Sequence, residues 1–296
     1  MQKQSKMKLA LRITLVMTVV SVVLRVLLVP GVQDAAGPFR MTYLAVAIMA
    51  LALIGVLVLV ILGRREMAEL PAVKGRWLLP IAALMMLVGV CVLVSSAVDL
   101  YNWTAYGIAP PPAKAVISGV DRLLLFATLI FGVLAGIYLI RLGLSWFRRN
   151  EEQRGTMKIW ALMPTAWIWM RLARYEISYS SVVDIYEGFY DFAMLLLMLL
   201  FLFALARLQA SVGKAGPART VFFALGTALM ALSGPLTRVV FYLLGEGDAY
   251  RAGQLAGIAD FAVGLLAAAL AAYWIVNARP VQPDDPSQEL FSADEE

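Results

Sequence analysis

No histidine occurs among the 296 residues, and there is a single cysteine, Cys91. Without imidazole the chain has no histidine general base, no histidine metal ligand and no histidine proton switch, so proton chemistry falls to Asp, Glu, Tyr, Lys or Arg. A lone cysteine closes no intramolecular disulfide, and inside an apolar run Cys91 reads as a small packing residue. Charge is scarce too. Asp, Glu, Lys and Arg make up 15% of the chain, against about a quarter in a soluble domain. The motifs of several chemistries are also absent: there is no phosphate-binding Walker loop, no GxGxxG after a strand, no HExxH and no CxxC.

Apolar residues fill the space that charge leaves. They form 61% of the sequence, and mean hydropathy is +0.80. They come in long runs rather than in alternation with polar residues, and a bilayer is the solvent that satisfies such runs. Eight segments emerge: Leu9 to Val29, Met41 to Leu62, Trp77 to Val98, Val116 to Ile140, Met157 to Ala173, Ile185 to Leu208, Val221 to Leu244 and Gly253 to Ile275. A spanning helix needs about 20 apolar residues. The fifth segment is the short one. The first is too long for the core of a signal peptide, carries Arg12 and Arg25, and has no small-residue cleavage site after it, so it reads as a retained helix. The expected fold is an all-α, polytopic transmembrane bundle of about eight helices over 1–278. An acidic, proline-bearing tail over 279–296 lacks apolar periodicity and reads as disordered.

The net charge of +5 does not point to nucleic acid, because the basic residues sit beside helix ends. Lys3, Lys6, Lys8 and Arg12 open the chain. Arg64, Arg65, Lys74 and Arg76 follow the second segment, Arg141, Arg148, Arg149, Arg154 and Lys158 the fourth, and Arg207, Lys214 and Arg219 the sixth. Alternate connections are poor in Lys and Arg. By the positive-inside rule both termini are cytoplasmic, in a plasma membrane, and a non-spanning fifth segment would put the third basic group outside.

Charges that interrupt the apolar runs are the candidate functional residues. Arg25, Arg122, Arg171, Arg174 and Arg238 do so, as do Asp99, Asp121, Asp184, Glu187, Asp191 and Asp260. On this topology all lie toward the outer side. Such residues face the bundle interior, water or one another. The arginines of the first, fifth and seventh segments and the carboxylates of the fourth, sixth and eighth suggest pairing. Trp160, Trp167, Arg171 and Arg174 share helical spacing, as do Asp184, Glu187 and Asp191, and a short hairpin joins the two sets. One reading is a set of ion pairs that fix helix register. The other is an outward-facing site built from Arg25, Asp121, Arg171, Arg174, Asp191, Arg238 and Asp260, whose arginines suit an anionic or amphiphilic solute. The aromatic hairpin (Tyr175, Tyr179, Tyr186, Phe189 and Tyr190) reads as an interfacial belt.

Lesser signals are weighed beside these. Gly132–Gly136 and Gly253–Gly257 form GxxxG spacings that favour close helix packing within the chain. Pro80, Pro164 and Pro235 should kink or break helices. Tyr190-Asp191 and Gly257-Ile258-Ala259-Asp260 resemble the motifs of intramembrane aspartyl proteases, but alanine replaces the second glycine and the two helices would run the same way. No catalytic residue, metal site or cofactor is assigned, and no feature names a protein partner. The expected partners are the lipid bilayer and a small anionic or amphiphilic ligand. The rival function is a non-transporting membrane sensor or scaffold.

Leu24-Arg25-Val26-Leu27-Leu28, followed by a loop with Asp34 and Gly37, resembles the opening of a set of uncharacterised multi-pass membrane proteins of clostridial bacteria. Arg171, Ser180-Ser181, Asp191 and the leucine-rich run ending Phe201-Leu202-Phe203 and Arg207 are similar to their middle region. The resemblance covers most of the chain. It implies an eight-pass protein of a cell with a single membrane, and it implies no activity.

Overall fold

The computed structural model describes residues 5–28, 38–67, 70–71, 73, 75–106, 119–148, 158–178, 185–210, 216–243 and 256–278. Among them are eight α-helices: α1 (Lys6–Leu28), α2 (Pro38–Leu62), α3 (Leu78–Tyr106), α4 (Gly119–Phe147), α5 (Met163–Ser178), α6 (Ile185–Ala210), α7 (Pro217–Leu243) and α8 (Ala256–Val276). No strand occurs among the described residues. Six of these helices, α1, α3, α4, α6, α7 and α8, are long and apolar enough to cross a membrane, which supports a multi-pass membrane protein. The other two account for the difference from the expected eight. In α2 the side chains are described from Ala47 onward, and Ala47–Leu62 on its own is a shorter apolar helix within the 25 residues of Pro38–Leu62. The fifth helix has 16 residues, carries Arg171 and Arg174, and continues a four-residue 3-10 turn, Ile159–Leu162. The tail 279–296 lies outside the described residues.

Burial decides which helices are central. In α7, 78% of the apolar window is enclosed by protein, against 28% in α1. The central helix packs on α1, α2, α6 and α8, while α8 also touches α1 and α3, and α4 bridges α3 to α5. The exposed apolar faces of α1, α2 and α4 (Leu15, Val19, Ile54, Ile61, Leu123, Ile130) are those expected to meet lipid. Basic residues collect at one end of the helices: Lys6, Lys8, Arg12, Arg64, Arg76, Arg141, Arg148, Lys158, Arg207 and Arg219 are all exposed.

Small residues set the closest helix crossing. A Cβ built on Gly89 of α3 would lie 2.7 Å from the Gly136 carbonyl oxygen, and one on Gly136 of α4 would lie 2.9 Å from the Gly89 oxygen. Only two hydrogens allow the backbones to meet there, so Gly132–Gly136 is an intramolecular packing motif as expected. Gly253 lies outside the described residues.

The prolines behave differently from expectation. Pro80 and Pro164 stand in the first turns of α3 and α5, where the missing N–H would have had no helical partner, and they break nothing. Pro235 is interior, yet α7 continues through it. The Ser233 hydroxyl donates to the Met230 carbonyl at 3.1 Å, and Thr237 donates to the Ser233 carbonyl at 2.8 Å, which supplies local hydrogen bonds around the interruption.

Glu66 ties the connection after α2 to the start of α1. Its carboxylate accepts hydrogen bonds from the Ser5 hydroxyl, from the Lys6 N–H at 3.0 Å and from the Met7 N–H at 3.3 Å. The two N–H groups are first-turn donors with no helical acceptor. Burial alone would raise the Glu66 carboxyl, but the hydrogen bonds from Ser5, Lys6 and Met7, with the Lys6 charge, hold it below its ordinary value.

Candidate functional site

The site begins with an absent side chain. A Cβ on Gly132 of α4 would collide with the Ser96 hydroxyl and approach the Trp167 indole at 3.2 Å. The indole of α5 therefore fits against α4 and is buried to 3% exposure. One turn later, the Arg171 guanidinium lies over that ring, with its central carbon 5.0 Å from the ring centroid. A flat apolar floor holds the planar cation from one face while leaving its N–H groups free to point outward.

Those N–H groups meet Asp260 of α8. Arg171 donates from Nη1 to Oδ1 at 2.5 Å and from Nη2 to Oδ2 at 3.0 Å, a bidentate pair. The side chains are 19% and 6% exposed. A pair with this geometry and burial costs much desolvation, and it persists because each charge satisfies the other. Further charges converge on it. The carboxylates of Asp99 on α3 and Asp191 on α6 act on Arg171, and Arg171, Arg174 and Asp260 all act on Asp99. Arg174 is buried to 5% exposure. Asp99 is partly exposed and makes no hydrogen bond or ion pair with the described residues. Charged groups of α3, α5, α6 and α8 thus lie within electrostatic range of one another around the Arg171–Asp260 pair.

A neutral chain of hydroxyls accompanies them. The Tyr190 hydroxyl of α6 is hydrogen-bonded to Ser233 of α7 and lies 3.4 Å from Ser21 of α1. Ser233 commits its proton to the Met230 carbonyl, so Tyr190 donates to Ser233 and Ser21 to Tyr190.

The expectations from sequence fare unevenly here. Arg171, Arg174, Asp191 and Asp260 belong to one cluster. Arg25, Asp121 and Arg238 have backbones in α1, α4 and α7, with side chains outside the described residues. For the hairpin pairing, Asp184 and the Glu187 side chain lie outside the described residues, Asp191 acts on Arg171 from α6, and the ion pair described at Arg171 is with Asp260 of α8. Trp160 does not share the site face: it precedes α5 in the 3-10 turn, where the helical phase differs, and is exposed. Tyr175 and Tyr190 are buried rather than belted, because the bundle closes around that end of α5 and α6, whereas Trp169 is exposed as a belt residue would be. Asp260 gives both oxygens to an arginine, unlike the proton-sharing carboxylates of an aspartyl protease. Ser21 and Ser233 went unnoticed in the sequence, since a serine in an apolar run carries no charge to mark it. Comparison with protein-family models, curated proteins and solved structures finds no match.

Proposed function

We propose that this is an eight-span protein of the plasma membrane, both termini cytoplasmic, that binds or transports a small anionic or amphiphilic solute through its outward-facing polar cluster. The observation that supports this reading is the Arg171–Asp260 pair, seated on Trp167 and surrounded by Asp99, Asp191 and Arg174. Asp260 occupies the arginine fork as the acid group of a solute would. A solute that displaces it gains both N–H donors, and the freed carboxylate reports the exchange to α8. Location in a single-membrane cell follows the resemblance to clostridial proteins.

The test is thermal unfolding of the purified protein in lipid nanodiscs against small carboxylates, phosphates and amphiphiles. One such compound is expected to raise the unfolding midpoint of the wild type, and Arg171→Lys should weaken that effect while preserving the fold, because an ammonium lacks the planar fork.

A second reading has its own support. Asp260 already satisfies the two terminal nitrogens of Arg171, as a register-fixing staple in a sensor or scaffold would. In that case Arg171→Lys is mild, and an Arg171→Leu/Asp260→Leu double variant folds at least as stably as wild type.

A further inference from the structure

If the exchange at Arg171 occurs, we infer that the solute is a zwitterion, an acid group on Arg171 joined to a protonated nitrogen that Asp99 receives. This rests on the solute-binding reading and narrows its ligand class.

Charge conservation carries the argument. An anion entering the site adds one negative charge and releases Asp260 from its partner, so a partly buried cluster in which Asp99, Asp191 and Asp260 stand against Arg171 and Arg174 grows more negative at the moment of binding. Like charges so confined oppose one another. A zwitterion adds no net charge. Its acid group replaces Asp260 on Arg171, and its nitrogen supplies a cation to the carboxylates nearby.

Asp99 is the natural receiver. It is partly exposed, it lies within the electrostatic reach of Arg171, Arg174 and Asp260, and it makes no hydrogen bond or ion pair with the described residues. Asp260 cannot serve first, because it must leave the fork before it is free. α3, which carries Asp99, packs on α8, the helix that carries Asp260, and the two carboxylates lie within electrostatic range of each other. A ligand bridging Arg171 and Asp99 would therefore span α5 and α3 and replace an α5–α8 tie with an α5–α3 tie.

The experiment compares whole molecules with their halves. Neutral amino acids and betaines are screened by thermal midpoint in nanodiscs. Each hit is then compared with the same skeleton lacking nitrogen and lacking the acid, as leucine is with 4-methylpentanoate and 3-methylbutylamine. At least one zwitterion is expected to stabilise the protein while neither half does so at the same concentration. Asp99→Asn should weaken that zwitterion by about tenfold or more, the loss of one charge-assisted contact, with the ligand-free midpoint held near wild type. An acid that binds as well as its amino counterpart, with affinity indifferent to Asp99→Asn, overturns the zwitterion and leaves solute binding standing. Proton uptake measured on binding such an acid would identify the proton as the balancing charge, again against the proposal. If no compound of any class moves the midpoint, solute binding fails together with this inference.

Discussion

Arg171 spends its fork on a carboxylate 89 residues away in the chain, and this one contact organises the residue scale. Removing Asp260 alone leaves a partly buried guanidinium without its partner. Asp260→Asn is accordingly expected to cost about 3–5 kcal/mol of stability, read as a lowered midpoint in nanodiscs without ligand. Tyr190→Phe tests the neutral chain. It strips the donor from Ser233 and the acceptor from Ser21, and a loss of about 1 kcal/mol is expected; a variant as stable as wild type would show the hydroxyl chain to be incidental. The charged members of the cluster were visible in the sequence because a charge inside an apolar run has few tolerable positions. That they pair was legible, but which arginine meets which carboxylate was not. Helical spacing tells which residues share a face of one helix, but not which helix that face meets. The nearby Asp184, Glu187 and Asp191 drew attention through proximity in sequence, while Asp260 gained its place through the packing of α8.

Elements are held by small residues and by one cap, and each makes a separate prediction. Gly136→Leu would drive carbon into space where even a Cβ lies 2.6 Å from Leu93 and 2.9 Å from the Gly89 oxygen. Overpacking of this kind costs about 1–3 kcal/mol. Because Asp99 rides on α3, the same change should disturb the site as well as the fold, so the midpoint and any ligand response should fall together. The Glu66 cap behaves differently. Its folded-state carboxyl lies below the ordinary value of 4.5, so the carboxylate stabilises the folded chain above that value, and the contribution is lost as pH falls through the lowered folded value. Glu66→Gln should therefore be less stable than wild type at neutral pH by about 1 kcal/mol, and the two should converge in acid; a gap that persists below the folded value would assign the effect to shape rather than charge. Helix identity and most boundaries were legible, since long apolar runs permit little else. The effect of the prolines was not: whether a proline interrupts a helix depends on its distance from the helix start, and apolar runs mark that point poorly.

At the scale of the whole molecule the number of bilayer crossings sets which side the Arg171 cluster faces. Length and composition qualify six helices, and α2 and α5 decide the rest. The Glu66 contacts bear on α2. They join the residue just beyond its end to Ser5, Lys6 and Met7 at the start of α1, so those two points lie on the same side, as two crossings require. For α5 the dimensions suffice. Its 16 residues and the preceding 3-10 turn of four reach about 32 Å at about 1.5 Å and 2.0 Å per residue, close to a hydrocarbon core of about 30 Å. Arg171, Arg174 and Glu176 lower its apolar character without shortening that reach. Crossing by both helices also keeps Arg64, Arg76, Arg207 and Arg219 on the side of Lys6, as the positive-inside rule asks. Two single cysteines in a Cys91→Ser background separate the alternatives when an impermeant maleimide is applied to intact cells. With eight crossings Thr104→Cys is labelled and Gly216→Cys is not. If α5 fails to cross, both are labelled; if α2 fails, only Gly216→Cys is; if both fail, neither is. Asn277→Cys, after α8, should match Gly216→Cys in every case, because α7 and α8 are both long and apolar enough to cross and two crossings return the chain to the same side. The expected pattern is labelling at Thr104→Cys alone. Any other places part of the Arg171 cluster on the wrong side for a solute arriving from outside.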